Sequence, residues 1–70
     1  MLVKDVFSRD VIDEMGMKVG KISDMEVDMT KGTIQHVVIS MGLFKKKEMK
    51  LDKIKNIGDT IILNIKKDNL

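Results

Sequence analysis

From Asp24 to Asp28 polar and apolar residues alternate strictly, with Met25 and Val27 set against Asp24, Glu26 and Asp28. A period of two is the period of a β-strand. Just upstream the apolar positions are Val19, Ile22 and Met25, three apart, a spacing that a helix also produces. Gly20 argues against a helix, because glycine in a helix interior costs about 1 kcal/mol relative to alanine. Ser23, Asp24 and Val27 are weak helix formers as well. The pattern therefore predicts one long strand over residues 18–28 that bends twice. Gly20 marks the first bend or bulge. A second break at Ser23–Asp24 returns the apolar side chains, Val27 included, to the inner face. A strand bent in this way suits a small closed or nearly closed barrel better than a flat sheet.

The remaining elements follow from the same patterning. Leu2, Val3, Val6 and Phe7 lie at one-turn spacing and predict a short helical turn or an irregular entry across one barrel end. Val11 and Ile12 form a short first strand. Asp13 to Gly16 is a turn in which Gly16 supplies a positive φ. Thr30, Lys31 and Gly32 make a tight hairpin. Residues 33–41 form a strand with Gln35, Val37, Ile39 and Met41 on one face and Ile34, His36, Val38 and Ser40 on the other. Residues 42–47 read as a loop or wide hairpin, and Met49 and Leu51 then alternate with Glu48 and Lys50 as another short strand. Residues 52–57 read as a single helical turn, with Asp52 as N-cap and Ile54 and Ile57 pointing inward. Gly58 and Asp59 turn the chain into a last strand over residues 60–65, followed by a polar tail. Gly16, Gly20, Gly32 and Gly58 are thus the glycines that define the fold.

Composition supports a sheet. The 70 residues, enough for one domain, contain no alanine and no proline, while isoleucine and valine together number sixteen; β-branched residues favour strands. A chain this short is near the lower limit for an independent core. With no cysteine, neither disulfides nor thiolate metal sites add stability, and a partner surface or self-association would help. The net charge of +2 is uneven. Residues 1–35 carry five basic and seven acidic groups, and residues 36–70 carry eight basic and four acidic. The N-terminus has no pattern of a secretory leader, and runs such as Val37-Val38-Ile39 are far too short to span a bilayer. A soluble, cytoplasmic protein is expected.

In order along the chain, Val11-Ile12-Asp13-Glu14-Met15-Gly16, Val19-Gly20-Lys21-Ile22 and Asp24-Met25-Glu26-Val27-Asp28 resemble the opening of the PRC-barrel domain. Gly32, Ile34, Val37, Val38 and Ile39 resemble its second hairpin. Met49-Lys50-Leu51-Asp52-Lys53-Ile54 and Ile57-Gly58-Asp59 resemble its closing segment, with Asp52 where proline is common. The resemblance covers about residues 5–65. It implies an all-β, SH3-like barrel of five to six strands with one short helical turn near residues 52–57, comprising residues 1–70 as a single domain. It also implies a non-enzymatic binding and assembly module, most like the stand-alone archaeal members. Some of those are associated with cell division, and another member is a ribosome maturation factor. The implied function is an adaptor, with an RNA- or ribosome-associated factor as the alternative.

The residues themselves offer few candidate sites. The sole histidine, His36, has no evident nucleophile or base in sequence, so no catalytic residue is assigned; it reads as an outer-face or interface residue. Asp24, Glu26 and Asp28 share a strand face, but carboxylates two apart lie about 7 Å from one another. They read as a solvated face, and neither a metal site nor a cofactor is expected. Lys45, Lys46, Lys47 and Lys50 form a basic patch. With the sole arginine distant in sequence and Phe44 the one aromatic nearby, the patch offers weak, salt-sensitive nucleic-acid affinity at most. Leu43 and Phe44 are expected to fold back over the barrel mouth, with contact to an anionic membrane or a partner groove as the alternative. Ile34, Val38 and Ile62, with His36 beside them, are the expected partner or homodimer interface, since an outward β-branched patch favours association; the equal alternative is that the terminal segment with Val3, Val6 and Phe7 covers the patch.

Overall fold

The computed structural model describes residues 2–70. Six strands form one sheet: β1 (Asp10–Ile12), β2 (Lys18–Asp28), β3 (Thr33–Ser40), β4 (Lys46–Lys50), β5 (Ile54–Ile57) and β6 (Ile61–Leu63). Their order is β4-β3-β2-β1-β6-β5. All neighbours are antiparallel except β1 and β6, which pair in parallel, Val11 opposite Ile61 and Ile12 opposite Ile62. Only short 3-10 turns accompany the strands, at Val3–Asp5, Leu51–Lys53 and Lys67–Asn69. The two outermost strands, β4 and β5, are consecutive in the chain and joined by the middle turn. The sheet therefore curls back on itself as a small barrel.

The long strand runs over Lys18–Asp28 as its pattern predicts, and its bends are bulges. Val11 pairs with Gly20 and Ile12 with Lys18, leaving Val19 as the extra residue. Ile22 pairs with Ile39 and Asp24 with Val38, leaving Ser23 unpaired. Each extra residue turns the following side chains over, so Val19, Ile22 and Met25 point to one side although they are three apart. Val19 and Ile22 are buried and Met25 packs against the core. Val27 departs from the expectation: it is 49% exposed, because the hairpin extends beyond the core at that end.

The interior is filled by Val11, Ile22, Val37, Ile39, Ile61 and Leu63, each 2% exposed or less. Gly20 lets β2 approach β3. A Cβ there would run into the Ser40 carbonyl oxygen and sit 3.0 Å from Ile39 Cγ2. Gly16 and Gly32 supply positive φ at their turns. Gly58 has neither a positive φ nor a close neighbour; its carbonyl accepts from the Arg9 guanidinium.

Three segments differ from the pattern. The helical turn is confined to Leu51–Lys53 with Lys50 at its N-cap position, and Ile54–Ile57 is strand β5. Two β-branched isoleucines make a strand against β6 more favourable than a helix there. Lys46 and Lys47 belong to β4 rather than to a loop. The tail is docked: Ile65 and Leu70 pack on the core, and the Lys67 N–H donates to Asp13 Oδ2 at 2.7 Å.

Asp13 is the one buried charged residue among those described, 3% exposed. Its Oδ1 accepts from the Met15 and Met17 N–H groups at 2.9 and 2.8 Å. The Lys67 N–H contributes most to holding its carboxyl below the ordinary value of 3.8; burial opposes this, while the Met17 and Met15 N–H groups and the Lys67 charge reinforce it.

A carboxylate with a lowered folded pKa stabilises the fold above its unfolded pKa, and that contribution is lost as pH falls through the folded pKa. Asp13→Asn is expected to lower the thermal midpoint at neutral pH and to flatten its decline between pH 5 and 2, measured by circular dichroism. Gly20→Ala is expected to cost about 1–3 kcal/mol from overpacking, read from urea unfolding.

Candidate functional site

An apolar cleft opens where the curl of the sheet leaves the N-terminal turn and β5 apart. Its volume is about 210 Å³, and every side chain lining it is aliphatic or methionine. The floor belongs to the core, where Val6, Ile22, Val37 and Ile61 are buried. The rim is built from Leu2 and Val3 before β1, Leu51 in the middle turn and Ile57 on β5, all substantially exposed. Local sequence explains the rim. Leu2 and Val3 have no strand to pair with, and Leu51 and Ile57 flank a segment too short to turn every apolar side chain inward.

Ile34 lines this cleft, which separates it from its expected companions. Val27 pairs with Ile34 and Glu26 with His36, so Gln35 is an extra residue on β3. The bulge turns Ile34 toward the side of Val37 and leaves His36 and Val38 on the outer face. Ile62 lies on β6, and β2 and β1 separate it from Val38 on β3, about 14 Å at the usual strand spacing. The structure therefore does not gather Ile34, His36, Val38 and Ile62 into one surface. Ile54 and Ile57, which the pattern directs inward, do line the cleft.

On the outer face three neighbouring strands bring ionisable groups together. His36 Nε2 lies 3.2 Å from Glu26 Oε2 and 3.2 Å from Glu48 Oε2. Glu26 is directly opposite His36, and Glu48 is diagonal to it, opposite Val38. The other two carboxylates of β2 act elsewhere. Asp24 Oδ1 accepts from the Met25 N–H, and Asp28 Oδ1 accepts from the N–H groups of Thr30 and Lys31 in the hairpin turn. Sequence alone could pair Glu26 with His36 only through the hairpin register; Glu48 carries no local signal at all.

The lysines are spread along an edge. Lys46, Lys47 and Lys50 are exposed on β4, and Lys45 precedes it. Lysines on an edge strand hinder unwanted pairing with other chains. Leu43 and Phe44 are 91% and 97% exposed at the tip of this hairpin, so they do not cover the barrel mouth. The tip is closed by the Met41 N–H donating to the Lys45 carbonyl at 2.8 Å, which leaves both side chains beyond reach of the core. Arg9, the sole arginine, is engaged with Gly58 and is remote in sequence from these lysines. Among the described residues no helix is long and apolar enough to cross a membrane.

The sequence model of the PRC-barrel domain matches residues 1–70. The chain belongs to the PRC-barrel domain family. The match covers the whole chain, and the six-stranded curled sheet agrees with it. Membership suggests a small interaction module. A comparison with curated proteins gives no match.

Proposed function

We propose that this PRC-barrel chain is a non-enzymatic assembly module that takes apolar side chains of another protein into the cleft. The observation that carries this reading is the lining: it is wholly apolar, and its rim stays exposed in the isolated chain. An apolar cleft with an open rim suits insertion of aliphatic or aromatic anchors, the residues that dominate protein interfaces. It holds no general base, nucleophile or hydrogen-bonding group to work on a substrate. A small core also gains from covering such a rim. The setting implied by the family resemblance is an adaptor within a cytoplasmic assembly, such as the archaeal cell-division machinery. A second copy of the chain is also a suitable partner, giving a homodimer.

RNA or ribosome association is the second reading, favoured by one observation: Phe44 is 97% exposed beside the lysines of β4. An aromatic face next to a row of cations is the arrangement on which single-stranded nucleic acid stacks.

Capture from native lysate with and without ribonuclease separates the two readings. Ile57→Asp on the rim is expected to reduce ribonuclease-insensitive partners about tenfold or more. The double change Lys46→Glu, Lys47→Glu is expected to leave those partners in place. A catch that vanishes with ribonuclease and with the lysine changes, and is untouched by Ile57→Asp, overturns the cleft reading in favour of RNA. Light scattering of wild type and Ile57→Asp reports the homodimer as a mass that halves in the variant.

A further inference from the structure

We propose that Glu26, His36 and Glu48 form a binding site for a divalent transition-metal ion, with zinc the best fit. The inference is independent of the apolar cleft and concerns the outer face of β2, β3 and β4. One ligand atom from each residue lies within 4.8 Å of the other two. The site has a feature that a solvated face does not explain. His36 Nε2 is buried and makes no hydrogen bond among the described residues, although two carboxylate oxygens stand 3.2 Å away. The nitrogen is equally distant from the two carboxylate oxygens and is hydrogen-bonded to neither. A cation shared by all three would sit among these atoms.

The distances suit zinc. Zinc binds imidazole nitrogen at about 2.0–2.1 Å and carboxylate oxygen at about 2.0–2.2 Å. At a tetrahedral angle those bonds place neighbouring ligand atoms about 3.4 Å apart, close to the two observed separations of 3.2 Å. The two glutamate oxygens already lie within 4.8 Å of each other. Both side chains are more than half exposed and free to adjust, while His36, 18% exposed in its side chain, is the fixed member. The ligand chemistry selects the ion class. Magnesium and calcium take oxygen ligands, whereas imidazole favours zinc and its transition-metal neighbours. Two carboxylates balance the dication, and a water completes four-coordination.

Lys50 stands opposite His36 in register, and Lys46 lies two residues before Glu48 on the same face of β4. The two carboxylates offset these cations, and the metal must compete with them. Because the ligands come from three adjacent strands, a bound ion would pin the edge strand β4 to the β2–β3 hairpin. Metal binding would then appear as stabilisation of the fold.

The test uses the full chain without a histidine tag, stripped with chelator and titrated with zinc chloride by calorimetry. Saturable one-to-one binding and a raised thermal midpoint are expected. Glu26→Gln and Glu48→Gln are each expected to weaken binding about tenfold or more, and His36→Gln to abolish it. Magnesium chloride at the same concentrations is expected to give no saturable heat. As the wild-type counterpart to the variants, the His36 imidazole NMR signals are expected to shift with zinc and to stop shifting at one equivalent. Absence of saturable zinc binding, equal binding of magnesium, or binding that survives His36→Gln overturns the proposal. So does an imidazole signal that responds to pH but not to zinc, which would identify a histidine–carboxylate salt bridge alone.

Discussion

The barrel depends on a buried carboxylate that holds three parts of the chain at once. Asp13 follows β1 directly, and its two oxygens take the N–H groups of its own turn and of Lys67, 54 residues away. The parallel pairing of β1 with β6 brings the exits of the two strands, Asp13 and the tail after Leu63, to the same end of the sheet. A parallel pair has no short turn to fix its register; here the register is fixed at one end by this carboxylate. The fold must therefore bury a charge, which is tolerable only because backbone donors meet it. The Glu14 N–H adds to the same junction by donating to the Ile65 carbonyl at 3.1 Å.

The second constraint is size. A six-stranded barrel of 70 residues must curve sharply, and the curvature is supplied by bulges at Val19, Ser23 and Gln35. Bulges redirect side chains as well as bending the backbone. Those on β2 carry Val19, Ile22 and Met25 to the inside. The one on β3 sends Ile34 to the apolar cleft while His36 and Val38 stay outside. The functional division of the surface is thus a consequence of how the barrel closes. One face of the sheet lines the aliphatic cleft, and the other sets His36 beside Glu26 and Glu48.

These two faces have different physical characters. The cleft is an apolar surface that a small core leaves uncovered, and it gains by excluding water. The Glu26–His36–Glu48 group is a polar constellation whose geometry is set by strand register. Neither needs the hairpin tip at Leu43 and Phe44, which projects away from the core beside the lysines of the edge strand.

The sequence by itself determined the strand-rich class and the bent second strand with its limits at Lys18 and Asp28. These follow from local period and from glycine placement, which act over a few residues. It also carried the family resemblance. Only the tertiary structure decided which apolar residues remain open. Ile34 changes face through a bulge that no local pattern marks, and Ile54–Ile57 becomes a strand because β6 is there to pair with it. The tail docks because Asp13 waits for it across the barrel. The same is true of the outer-face cluster: Glu26, His36 and Glu48 are separated by ten and twelve residues. Alternation assigns each to a face, but only the pairing of β2, β3 and β4 brings their ligand atoms within reach of one another.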